Sequence, residues 1–298
     1  MPDGVFDADI VPQILLQVLP TIHFLHTEAN ITHTGNILEG IQDERLLAKL
    51  EEDELGGKPC PRKDAGDRTI YSTRYFRESI GDLYLCDLGE AVVGNEHAGP
   101  AMPTQYRAPE VILGMKWNYA IDMWSVGLMA WDMMQPTDIF KVYNRENELL
   151  NNAHHLAAMI ALLGPPPQEF LERSQESWKY WDGKGQFLPL WAILTNALLV
   201  TDWRTMSLGN WRNIVPIRTD RTFESLATKP ADEEERDLFI NFITGLLCWL
   251  PEERLDSFQV FSHLWIYRAM SIDQASNGDS GQGESGSPPP NSRLTTLK

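Results

Sequence analysis

At 298 residues, with 43% hydrophobic residues and ten tryptophans, the chain is long enough for one large domain or two small ones around a sizeable core. Its net charge of -17 repels phosphate backbones and argues against nucleic-acid binding, while the same acids either provide solubility or attract basic peptides. Three widely spaced cysteines, Cys60, Cys86 and Cys248, give neither a disulfide framework nor a CxxC metal spacing, and so point to a reducing compartment, cytoplasmic or nuclear.

In chain order, Met1 to Asp9 carries acids and no basic n-region, so it does not read as a secretory signal. Asp9 is placed to cap a helix in which Ile10, Ile14, Leu15, Val18, Leu19 and Ile22 recur at helical spacing, with Pro12 in the first turn. Read from the residues alone, His33 and Asn36 in His33-Thr34-Gly35-Asn36 are ordinary turn residues. A long connection, 42–81, follows. Within it Leu46, Leu47 and Leu50 among acids predict a short amphipathic helix, Gly56 to Arg62 a loop and Asp67 to Tyr71 a short strand. The apolar run Leu83-Tyr84-Leu85-Cys86 leads into Asp87-Leu88-Gly89. There Asp87 reads as a loop-capping residue after a strand, and Gly89 permits a backbone turn.

Glu90 to Gln105 is loop-like, and Thr104 is the only Ser or Thr between Asp87 and Glu110. With no further hydroxyl to phosphorylate, packing must hold this loop. From Tyr119 to Met134 apolar residues lie almost all round, which predicts a buried helix; Asp122 within it needs donors, since burial without them is costly. His154 to Leu163 reads as an amphipathic helix stopped by Gly164-Pro165-Pro166-Pro167. Phe187 to Trp211 matches no expected element, and its apolar run to Val200 is too short to span a bilayer. Asp232 to Leu247 is a helix with acids in its first turn, Ser257 to Tyr267 is the last helix, and 272–298 is a Gly/Ser/Pro-rich tail expected to be disordered.

Three of these stretches stand in a telling order: Asp87-Leu88-Gly89, then Tyr106-Arg107-Ala108-Pro109-Glu110, then Asp122-Met123-Trp124-Ser125-Val126-Gly127. Together they resemble the activation segment and following helix of a protein kinase. The lead-in Phe24 to Thr34 is similar to that of the SR-protein-specific serine/threonine kinases, which carry His-Thr-Asp there. The resemblance covers Asp9 to Met270, interrupted at 187–211. It implies a mainly α kinase-like C-lobe over 1–271, with short strands at the catalytic and Asp-Leu-Gly loops. It also implies ATP and magnesium as cofactors, and Arg/Ser-rich basic proteins as partners, with no nucleic acid and no membrane. By the same resemblance Asn36 and Asp87 hold the metal, and Asp87 to Glu110, with Thr104 and the Tyr106-Arg107-Ala108-Pro109-Glu110 turn, is the activation segment. Asp122 accepts backbone N–H bonds from the catalytic loop, and Arg254 pairs with Glu110 as a buried ion pair.

The chain departs from the pattern at the catalytic loop. The family spacing H-x-D-x-x-x-x-N sets Asn seven positions after His. Here Asn36 comes three positions after His33, and Gly35 stands where the Asp belongs. Only His33 and Asn36 remain, so no catalytic residue is intact; Glu39 and Asp43 are nearby but off-pattern. Loss of an oriented acid or base typically lowers rate by about 10²–10⁴-fold. Met1 to Asp87 contains neither G-x-G-x-x-G nor V-A-I-K, so the N-lobe is expected to be absent. The expectation is a serine/threonine kinase-like chain with impaired transfer. The alternatives are a pseudokinase module holding basic peptides between the 153–163 helix and the activation segment, or a truncated or mis-spliced fragment without activity.

Overall fold

Helix α4 (Ala120–Met134) is the hub of the core, and eleven of its residues are buried, among them Trp124 and Trp131 at 0% exposure. A helix that is apolar nearly all round must be covered on every side. The computed structural model describes residues 5–33, 36–39, 45–57, 60–71, 82–183 and 208–268. The tail 272–298, residues 187–207 of the unplaced stretch, and Thr34 and Gly35 lie outside the described residues.

One side of α4 is covered by α8 (Glu233–Leu246), which buries Phe239, Phe242, Ile243 and Leu246. Gly127 makes this approach possible: a Cβ there would sit 3.0 Å from the Leu246 Cβ and 3.1 Å from Leu247 Cδ2. Trp131 stacks on Phe239 and meets Phe223 of α7 (Phe223–Leu226) edge-on, both at 5.8 Å. Trp265 packs against Phe239 and Phe242 at 5.1 and 4.7 Å. Each fully buried aromatic of this kind contributes roughly 1.5–3 kcal/mol from apolar burial alone.

Helix α1 (Ile10–Thr27) joins the same core by burying Val11, Leu15, Val18, Leu19 and Ile22. It is the one helix among the described residues that is long and apolar enough to cross a membrane, but its apolar face lies in this core. Asp9 does not cap it as expected: its backbone is already right-handed helical and its side chain accepts no cap bond. An N-cap needs extended φ/ψ to aim its oxygen back at the first turn, which residue type alone does not guarantee.

The strands pair two by two. β1 (Ile31–Thr32) runs antiparallel to β6 (Val92–Val93), and β2 (Asn36–Glu39) to β5 (Leu83–Cys86), with Asn36 opposite Cys86. Between them α2 (Arg45–Leu55) is the amphipathic helix expected in the long connection. The expected strand near Tyr71 is β4 (Thr69–Tyr71), paired with β3 (Arg62–Asp64).

Beyond α3 (Pro109–Ile112) and α4, helix α5 spans Glu148–Leu163, starting six residues before its expected first residue. Asn147 caps it by accepting from the Leu150 N–H. A short α6 (Gln168–Leu171) leads to β7 (Trp181–Gly183), which pairs with β8 (Leu208–Trp211). The last four residues of the unplaced stretch are thus a strand. The final helix is shorter than expected: α9 spans Ser257–Phe261, and the chain turns at Ser262 and His263 before 264–268 becomes helical again.

Candidate active site

His33, directly after β1, is anchored by one carboxylate. Asp122, in the first turn of α4 and 5% exposed, accepts the His33 backbone N–H at 2.7 Å and lies 2.9 Å from His26 Nε2 at the end of α1. Burial pushes the Asp122 pKa up, and the His26 and His33 bonds pull it the other way. A buried carboxylate is tolerable only with such donors. Asp122 thus accepts one backbone N–H from the stretch where the resemblance set the catalytic loop. His26 was missed as its second partner; the available signal was a polar ring near the end of an otherwise apolar helix.

His33, 7% exposed, reaches forward from this anchor, with Nε2 3.0 Å from the Cys86 carbonyl oxygen. A carbonyl can only accept, so Nε2 carries the proton. The contact ties the loop to the residue preceding Asp87. The β2–β5 register, with Asn36 opposite Cys86, brings the Asn36 backbone to the same place. His33, Asn36 and Asp87 thus converge although Asp87 lies far along the chain.

Asp87 is exposed and left-handed, at φ 61° and ψ 58°, and a 3₁₀ turn over Leu88–Glu90 follows. Gly89 lies inside this 3₁₀ turn without a positive φ; the left-handed residue is Asp87. Asp tolerates this region better than most side chains because its short polar group bonds locally. Leu88 is 57% exposed.

The segment from Glu90 to Gln105 is held in part by hydrogen bonds to Trp117. His97 and Trp117 exchange backbone hydrogen bonds at 2.8 and 2.9 Å, and Trp117 Nε1 donates to the Gly99 oxygen at 3.0 Å. Thr104 lies in a 3₁₀ turn, Thr104–Tyr106, at its end. The Tyr106 hydroxyl donates to Asp132 Oδ2 on α4 at 2.6 Å. Burial, then the neighbouring Asp132, raises the Tyr106 pKa. Burial also lifts Asp132 to about 6, with Asp138 adding repulsion against the stabilising Tyr106 bond.

Ala108 is 0% exposed, and Pro109 opens α3 where a missing N–H costs nothing. Glu110 and Arg254, separated by 144 residues, form a bidentate pair with both bonds at 2.6 Å and both side chains 1% exposed. Arg254 also donates to the Ala120 and Cys248 carbonyls and lies 5.0 Å over the Trp124 ring, so most of its donors are used. The sequence expectation of this pair is met in full.

A cavity of about 210 Å³ opens beside this turn, lined among others by Arg107, Val111, Ile112, Glu148, Asn152 and Glu176. Arg107 donates to Glu148 at 3.1 Å. Asn152, 8% exposed, bonds Tyr180 and has no hydrogen-bond partner for Oδ1 among the described residues. Of these, Arg107 was named from the sequence; Val111, Ile112, Glu148, Asn152 and Glu176 were not, since they come from α3, α5 and the turn before β7.

An anchored His33, a left-handed Asp after a strand, and a turn locked by a buried Glu–Arg pair thus stand on one helical core. The protein kinase domain family matches residues 76–266, and the chain belongs to that family. A serine/threonine protein kinase of Aspergillus fumigatus is 31% identical over 263 residues, 87% of this chain and 58% of the relative. The serine/threonine-protein kinase SRPK of Physarum polycephalum is 38% identical over 193 residues, 57% of this chain and 45% of the relative. The human dual specificity protein kinase CLK2 is 26% identical over 266 residues, 87% of this chain and 43% of the relative. The chain spans about half the length of the curated relatives it matches.

Proposed function

We propose that this chain is a kinase C-lobe of the SR-protein-kinase type that holds basic, Arg/Ser-rich peptides and is impaired in phosphoryl transfer. One contrast carries the reading. The peptide-side framework is complete, with Tyr106 on Asp132, Glu110 on Arg254 and an acid-lined groove beside them. The step from His33 to Asn36 is too short to contain the acid that orients a substrate hydroxyl.

The residues present fit magnesium. Asp87 offers an exposed hard-oxygen carboxylate, and the strand register brings the Asn36 backbone opposite Cys86, the residue before it. Bound there, magnesium would supply positive charge against nucleotide phosphates. The left-handed turn at Asp87 fixes where its carboxylate emerges from β5. His33 steadies the preceding carbonyl, and Asp122 steadies His33. No described side chain takes the proton of a substrate hydroxyl at the family's position, since Gly35 stands there. Tyr106 and Arg107 shape the turn against which a peptide would lie, and Glu148 and Glu176 offer carboxylates to its basic side chains.

The test is binding of a fluorescent Arg/Ser-rich peptide to the full chain across a salt series. With -17 net charge and an acidic groove, affinity should fall steadily as salt rises. Affinity that ignores salt would count against this mode, as would binding unchanged in a Glu148→Gln, Glu176→Gln double variant.

A further inference from the structure

The groove wall carries its own cation. Arg107 Nη1 lies 3.1 Å from Glu148 Oε1, with the arginine side chain 21% exposed and the glutamate 76% exposed. The guanidinium is tethered at its base, where Nε donates to the Met102 carbonyl at 3.5 Å. Met102 is itself left-handed at φ 65°, an uncommon state for a bulky side chain. Deeper in, the Asn152 Oδ1 has no partner among the described residues, and Glu176 already has Lys179 on one oxygen. The cavity thus offers acceptors for a cationic side chain, and the most exposed carboxylate at its mouth is occupied by a group of that same chemistry.

We propose that Arg107 is an intramolecular competitor for the groove, its guanidinium holding the carboxylate that an incoming peptide arginine or lysine needs. This rests on the reading of the groove as a basic-peptide site. An arginine is suited to the task because its planar fork satisfies a carboxylate as a peptide arginine would. The contact is displaceable rather than locked: exposed ion pairs are typically worth a factor of roughly two to five in an equilibrium. It would set a threshold that multivalent basic peptides pass and singly charged ones do not. His155, on the same helix and fully buried, does not add a second cation. Burial, with Arg107's charge as a lesser cause, lowers its pKa to about 3 and keeps the ring neutral.

A double-mutant cycle tests this, read by anisotropy of a labelled Arg/Ser-rich peptide on the full chain at low salt. The variants are Arg107→Ala, Glu148→Gln and the two combined, with Arg107→Gln as a milder variant that keeps a donor for the Met102 carbonyl. Arg218→Ala is the control for loss of one positive charge, since Arg218 pairs with Asp220 and does not line the cavity. Arg107→Ala and Arg107→Gln should tighten binding about two- to five-fold beyond the control. Glu148→Gln should weaken it, and removing Arg107 in that background should change nothing further. Equal tightening in the Glu148→Gln background would show general charge loss and overturn the competitor. If Glu148→Gln weakens binding but the Arg107 variants match the control, the competitor falls and the groove reading stands. If the wild type and every variant fail to bind, both fall.

Discussion

Asp132 and Tyr106 share a hydrogen bond that is half out of water, and the carboxyl answers to pH. Its pKa of about 6 in the fold lies above the ordinary carboxylate value near 3.9, because burial and then Asp138 outweigh the Tyr106 bond. A raised folded pKa means the fold binds the proton more tightly than the unfolded chain does. The group's destabilising contribution is therefore absent below about pH 4, grows as pH rises to 6, and is complete above it. Allowing for partial solvent screening, the effect is on the order of 1–2 kcal/mol. Urea unfolding of wild type and Asp132→Asn at pH 4.5 and 7 should show the wild type losing more stability than the variant over that interval. Equal losses would remove Asp132 as the cause.

The Glu110–Arg254 pair is the opposite case, because it is fully buried and fully bonded. Arg254→Ala leaves an uncompensated carboxylate and should cost about 3–5 kcal/mol in chemical unfolding. Replacing both partners by apolar residues of similar volume should recover most of that. A double variant as unstable as the single one would show that packing of the guanidinium on Trp124 matters more than charge.

Among elements, α4 and α8 depend on one missing side chain. Gly127 lets the two helices meet where a Cβ would press on the Leu246 Cβ, an atom too close to the backbone to yield. Gly127→Val is expected to destabilise by about 1–3 kcal/mol through overpacking, measured by thermal unfolding; an unchanged melting temperature would mean the helices can part without cost. Some elements were legible in the sequence and others were not, for physical reasons. Helix α4 was readable because few structures bury residues all round. Helix α5 began earlier than expected because its first turn, Glu148 to Asn152, mixes polar residues that periodicity does not register, and Asn147 supplies the cap. The last helix was read as continuous because Trp265 and Ile266 keep the apolar pattern, yet the chain turns at Ser262 and His263. Asp9 had the right chemistry for a cap and the wrong backbone.

For the molecule as a whole, motif order carried most of the site. Asp87, Glu110, Asp122 and Arg254 were placed by it, and the structure joins Asp122 to the loop and Glu110 to Arg254 as that order implies. The groove was legible only in outline, between the 153–163 helix and the activation segment, because Glu148 and Glu176 become neighbours of Arg107 only after the helices have packed. The left-handed state of Asp87 was not legible, since glycine is the default for such a position and Asp is the less common solution. What remains is the proposed balance between peptide holding and impaired phosphoryl transfer. Incubation of the purified chain with labelled ATP, magnesium and an Arg/Ser-rich peptide measures it directly, with Asp87→Ala alongside. The account predicts that the peptide binds and that phosphate incorporation does not exceed the Asp87→Ala background. Incorporation well above that background, abolished by Asp87→Ala, would contradict it.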